Sequence, residues 1–321
     1  MNKPRVYIVS PALAEANNGN WHTAARWARM LAGHCRTEVA LRWNGEPHEL
    51  LIALHARRSA DSIERHARQC PQVPRVVVLT GTDLYRDIRI DAAAQHSLVH
   101  ATRLVVLQDQ GPHELTPAMQ AKCMVIVQSA APLAPAAKPD DRLLAVMVGH
   151  LRDEKDPMTF MRAARRLAAR EDIRFEHVGE ALDPALGMAA RETMRLNPRY
   201  RWLGGLSRGA ARQRMKRAHV LVHASCMEGG AQVIAEAVQA GTPVIASRIA
   251  GNVGMLGRDW PGYFALGHDD ELAALLERLR DEPAALAALN DHARRRAALF
   301  APDAERAALL HLVQSLLEPA R

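Results

Sequence analysis

Residues 143–157 read LLAVMVGHLRDEKDP, six apolar residues that run into Gly149 and then into a charged turn closed by Pro157. An apolar run this short, ended by glycine and followed over residues 157–170 by apolar residues at helical spacing, predicts a buried parallel strand, a βα turn and a helix. Proline suits the first helical position because its missing N–H is one that a helix start leaves unpaired in any case.

The same unit recurs on the C-terminal side, with strands predicted at Arg174 to Val178, Val220 to His223 and Pro243 to Ala246 and helices over 208–217 and 230–240. On the N-terminal side, strands are predicted at Val6 to Val9, Val39 to Leu41, Leu50 to Leu54, Val76 to Leu79, Leu104 to Leu107 and Val125 to Val127. Helices fall between them at Trp21 to Ala32, Ser59 to Arg68 and Gln110 to Lys122. Strand and helix in alternation imply parallel sheets covered by helices.

The two series are separated by SAAPLAPAAKPDD, residues 129–141, where three prolines and small residues replace periodicity. From Asp269 onward three helical stretches follow, the last opened by Pro302. The expected fold is therefore α/β with two Rossmann-like domains, residues 1–130 and 142–300, a linker over 131–141, and a C-terminal helix over 301–321 that packs near the first domain.

The chain has 321 residues and a formal charge of +7, and all but five of its 42 basic residues are arginine, many on predicted helices, such as Arg162, Arg165 and Arg166. Aromatic residues make up 4%, too few for a base-stacking platform, so no nucleic-acid partner is expected. The positive balance suits anionic small-molecule substrates instead. Cys35, Cys70, Cys123 and Cys226 lack metal-ligand spacing, and a reducing cytoplasm is the simplest location. No apolar run approaches the roughly 20 residues that span a bilayer, so no membrane partner is expected.

Three βα turns carry chemistry. Asn17-Asn18-Gly19-Asn20 precedes the helix opening at Trp21: glycine lets a ligand approach the backbone, and the helix start offers N–H groups to an anion, or else Asn20 is simply an N-cap. The turn at 149–157 places Arg152 and Lys155 to hold a diphosphate, the guanidinium as a fork and the ammonium as a compact charge. In Met227 to Glu236, two carboxylates eight positions apart bracket Gly229 and Gly230. Glu228 is expected in the loop and Glu236 about two helical turns further on. Such carboxylates accept hydrogen bonds from vicinal sugar hydroxyls, and the glycine amides can meet phosphate or sugar oxygens.

With these motifs in this order, the chain resembles the GT-B glycosyltransferases of the glycogen-synthase-like type, whose second domain carries a GxLxxxK-type loop followed by a Glu-x7-Glu motif. The resemblance implies two facing Rossmann-like domains and a sugar-nucleotide donor, with Arg152 and Lys155 on its diphosphate, Glu228 on the sugar and Glu236 on the ribose. Gly19, Asn20, Gly229 and Gly230 complete the expected donor site.

Leu54 to Ser59, Leu79 to Tyr85, Asn197 to Gly204 and Ser247 to Gly254 further resemble the SenB family, the selenosugar synthases of selenoneine biosynthesis. That resemblance implies transfer from a UDP-sugar, typically UDP-N-acetylglucosamine, to selenophosphate, giving a 1-selenosugar. His55, Arg57 and Arg58, which follow the strand Leu50 to Leu54, and Thr82 and Asp83, which follow Val76 to Leu79, form the expected acceptor site. His55, Arg152, Lys155 and Glu228 are the expected catalytic residues. No Asp-x-Asp clamp is present, so no metal and no cofactor beyond the UDP-sugar co-substrate are expected. A GT-B enzyme acting on a hydroxyl acceptor, and a UDP-sugar-binding protein without catalysis, are the competing readings.

Overall fold

The computed structural model describes residues 3–14 and 19–318; Asn17 and Asn18 lie outside the described residues. The first series of elements is β1 (Arg5–Val9), α1 (Gly19–Leu31), β2 (Arg36–Ala40), β3 (Leu50–Leu54), α2 (Ala60–Gln69), β4 (Arg75–Leu79), α3 (Ile88–Ile90), α4 (Ala92–His100), β5 (Arg103–Val106), α5 (Pro117–Gln120) and β6 (Cys123–Val125). The second runs β7 (Leu143–Val148), α6 (Pro157–Arg166), β8 (Ile173–Val178), α7 (Pro184–Leu196), β9 (Tyr200–Trp202), α8 (Arg208–Arg217), β10 (Val220–His223), α9 (Gln232–Gln239), β11 (Val244–Ser247), α10 (Ala250–Leu256) and β12 (Tyr263–Phe264). Three helices close the chain: α11 (Asp269–Asp281), α12 (Pro283–Arg296) and α13 (Pro302–Leu317).

These elements build two six-stranded, all-parallel sheets, ordered β2-β1-β3-β4-β5-β6 and β12-β11-β10-β7-β8-β9. The chain forms two compact units. The first combines the residues up to Gln128 with Glu228–Gly230 and the segment from Pro302; the second holds Ser129–Met227 and Ala231–Ala301.

In the first unit, alternate strand residues feed two cores, as a two-residue side-chain period demands. Val6, Ile8, Leu50, Ile52, Leu54, Val76 and Val78 pack with Trp27 and Leu31 of α1 and with Leu309, Leu312 and Val313 of α13. Tyr7, Val9, Leu51, Ala53, Val77 and Leu79 pack with Ile63 of α2 and with Ala94 and Leu98 of α4. In the second unit α7 and α11 both lie against α6, whose Phe160 stacks edge-on against Phe175 of β8.

Residues 129–141 contain no regular element, yet they are bound along the second unit. The Leu133 N–H donates to the Gln239 carbonyl at 3.0 Å, the His219 ring meets the Pro139 carbonyl at 3.0 Å, and the Lys138 ammonium reaches the Gly241 carbonyl at 3.2 Å. Chemically this stretch is a strap on that unit.

Two local expectations are corrected. The helix expected from Gln110 to Lys122 is instead a 3₁₀ turn, Gly111–Glu114, and the short α5, because Pro112 and Pro117 cannot donate within a continuous helix. Helix α1 begins at Gly19, so Asn20 lies inside its first turn and is not the N-cap.

Candidate functional site

In both units the sequence-selected residues lie in turns at the carboxyl ends of parallel strands or, for Gly19, Asn20 and Glu236, in the helix that follows such a turn, where open α/β sheets bind ligands. In the first unit, β3 leads into His55, whose backbone is left-handed at φ 71°, a conformation that a non-glycine residue keeps only where its surroundings enforce it. The enforcement is visible. The His55 Nδ1 accepts the Arg58 N–H at 3.3 Å, so the ring proton is on Nε2 and points to the Thr82 hydroxyl oxygen at 3.0 Å. Burial pushes the His55 pKa down, and the nearby Asp83 only partly opposes this, so the imidazole is neutral.

Asp83 is fully buried and accepts three backbone N–H groups: Ala56 at 2.9 Å, Thr80 at 2.9 Å and Gly81 at 2.8 Å. Its carboxylate ties the turn after β3 to the turn after β4. Asp83 opens a single π-helical turn, Asp83–Asp87, a geometry frequent at functional sites. Thr82 is half-buried, and Arg57 and Arg58 are exposed.

Glu228–Gly230 belongs to the same unit. A Cβ on Gly229 would lie 2.4 Å from the Thr80 carbonyl carbon and one on Gly230 2.5 Å from the Leu107 Cβ, so only glycine fits at either position. The carboxylate of Glu228 is mostly buried. By contrast, a Cβ on Gly19 would meet nothing within 4 Å.

In the second unit, β7 delivers Gly149 to a turn held by the Leu151 N–H on the Glu180 carbonyl at 2.8 Å and the Glu180 N–H on the His150 Nδ1 at 3.2 Å. Lys155 folds its aliphatic stem back along Gly149, and the Arg152 Nε lies 3.8 Å from Glu154. Asp156 closes the turn at φ 41° and caps α6, accepting the Thr159 N–H at 3.2 Å. The Cys226 N–H donates to the Glu154 carbonyl at 3.0 Å, which brings this turn beside the segment leading from β10 to Met227.

Helix α9 begins only at Gln232, so a single turn, not two, precedes Glu236. The Glu236 carboxylate is buried and receives the Arg208 Nε at 2.6 Å. Arg208 was not singled out from sequence; its signal is the place after Ser207, the N-cap of α8, at the end of the turn that follows β9.

Two parallel-sheet units with charged turns at their strand ends make this a glycosyltransferase fold of the GT-B class. Residues 129–296 match the model of the family described as glycosyl transferases group 1, and the chain belongs to that family. Sucrose-phosphate synthase from Thermosynechococcus elongatus is similar in structure, with a TM-score of 0.80 at 17% identity over 98% of this chain and 99% of that one. HepE of Anabaena, solved in complex with UDP-glucose, gives a TM-score of 0.76 at 14% identity over 97% and 100% of the two chains. A glycosyltransferase from Rickettsia africae gives 0.74 at 14% identity over the whole of both. At these identities the likeness is one of fold. Among the described residues no helix is long and apolar enough to cross a membrane.

Proposed function

We propose that the protein transfers N-acetylglucosamine from UDP-N-acetylglucosamine to selenophosphate. The bond from C1 to the UDP oxygen breaks, its electron pair leaves with UDP, and selenium bonds to C1; one water must then take the phosphoryl group to give the 1-selenosugar. Arg152 and Lys155 neutralise the departing diphosphate, Glu228 holds the sugar and Glu236 the ribose. His55 and Thr82 line the acceptor side with Arg57 and Arg58. UDP-sugar use is supported by HepE, solved with UDP-glucose, and by TarM, solved with UDP.

The observation that carries the choice of acceptor is the pair of hydrogen-bond partners held by the His55 ring. Its Nδ1 is occupied by a backbone N–H and its Nε2 proton by Thr82, so it is not poised to deprotonate a hydroxyl, while arginines stand beside it. An acceptor that is already an anionic nucleophile needs cations and no strong base.

Mass spectrometry of the protein incubated with UDP-N-acetylglucosamine and selenophosphate, with thiophosphate and phosphate in parallel, tests the proposal. Selenosugar together with UDP is expected, and its loss in Lys155→Ala and in Glu228→Ala with unchanged circular dichroism. UDP-sugar binding without that product would send the search to hydroxyl acceptors.

A further inference from the structure

Beside His55 lies an arrangement that the motifs did not indicate. Asp87 closes the π-helical turn with its side chain 2% exposed, and two guanidinium groups meet it through their Nε atoms: Arg86 at 3.0 Å and Arg57 at 3.6 Å. The two arginines come from different turns, Arg57 after β3 and Arg86 after β4, and the pairing of these adjacent strands brings them to one end of the sheet. Their side chains are 48% and 45% exposed, and among the described residues each guanidinium pairs with Asp87 alone.

An arginine that spends its Nε on a buried carboxylate is fixed in orientation and still has its terminal N–H groups to offer. Two such groups on one carboxylate leave a net positive charge, which suits a tetrahedral dianion better than a neutral ligand. Thr82 stands next to them: because its oxygen accepts the His55 Nε2–H, its own proton remains to be donated. The Asp83 carboxylate, the nearest other negative charge in this turn, is already met by three backbone N–H groups.

We propose that Arg57 and Arg86, anchored on the buried Asp87, form an oxyanion clamp for a phosphate-class ligand, with Thr82 as a further donor and Asp87 as the positioning residue. The clamp rests on the function proposed above only for the identity of the anion, the phosphoryl group of the acceptor. It adds Arg86 and Asp87 to the acceptor side and assigns Arg57 a partner.

Calorimetric titration of the full chain with inorganic thiophosphate, and separately with UDP, tests the clamp without turnover. Arg86→Ala and Arg57→Ala are each expected to weaken thiophosphate binding at least tenfold, and the double variant to abolish it, with UDP affinity unchanged. Asp87→Asn should act in the same direction; since it alters a buried group, the exposed Arg86→Ala carries the test. Wild-type protein that fails to bind thiophosphate, or an Arg86→Ala variant that binds it normally, overturns the clamp. Thiophosphate binding that depends on Arg86 in a protein that makes no selenosugar leaves the clamp standing and removes the selenium reaction. Selenosugar formation with an unchanged KM for selenophosphate in Arg86→Ala does the reverse.

Discussion

Gly179 controls the geometry of the Arg152–Lys155 turn without belonging to it. A Cβ there would lie 1.9 Å from the Gly149 carbonyl oxygen, and its φ of 154° disfavours any side chain. Gly179→Ala is expected to displace the Gly149–Leu151 backbone, lower Tm and weaken UDP binding at least tenfold by calorimetry. With the ribose role proposed above, Glu236→Gln should raise KM for the donor more than it lowers kcat, because such a contact persists from ground state to transition state; steady-state kinetics showing a pure kcat loss would contradict that role. The positions of Arg152, Lys155 and Glu228 in strand-end turns were legible from spacing, because each stands a few residues after its own strand. The pairing of Asp87 with Arg57 and of Asp83 with the Ala56 N–H was not, since the β3–β4 pairing brings these partners from 30 and 27 residues away in sequence.

At the scale of elements, α13 is fixed to α1 by Glu305, which is buried and receives the Arg26 Nε at 2.8 Å and the Trp27 Nε1 at 2.7 Å. Removing one partner of a buried pair strands the other, so Glu305→Ala should cost about 3–5 kcal/mol in urea denaturation. Strands buried on both sides, such as Leu50–Leu54, read directly from sequence because every residue is apolar. The helix Pro184–Leu196 did not: its buried positions Leu186, Gly187, Ala190 and Thr193 include two weak helix formers, and the Met188, Met194 and Leu196 side chains are exposed, which blurs the apolar stripe. The strands Tyr200–Trp202 and Tyr263–Phe264 are too short to show a period.

At the scale of the molecule, each unit carries buried neutral histidines. In the first, the Nε2 atoms of His48 and His66 face each other at 2.9 Å. His48 gives its Nδ1 proton to the Glu46 carbonyl at 2.8 Å, so His66 donates between the rings. Burial, then the neighbouring His48 and Arg75, lower the His66 pKa to about 3; burial alone lowers that of His177, in the second unit, to about 3. Folded pKa values below the ordinary 6.5 mean that the unfolded chain binds more protons, so this stability is complete above pH 6.5 and is lost progressively as pH falls toward 3. A thermal melting series should show Tm declining throughout that window, and a Tm independent of pH there would contradict it. Rossmann-like architecture was legible at this scale because the alternation of strands and helices covers nearly the whole chain.

The sharing of the first unit's core between α1 and α13 has a consequence for biosynthesis. Leu309, Leu312 and Val313 cover part of one face of a sheet whose last strand ends at Val125, so the part that α1 leaves uncovered stays bare while the whole second unit is being translated. At 5–20 residues per second the wait is on the order of ten to thirty seconds. During it the nascent chain presents apolar surface to the ribosome exit and to holdase chaperones, and the half translated first is the half completed last.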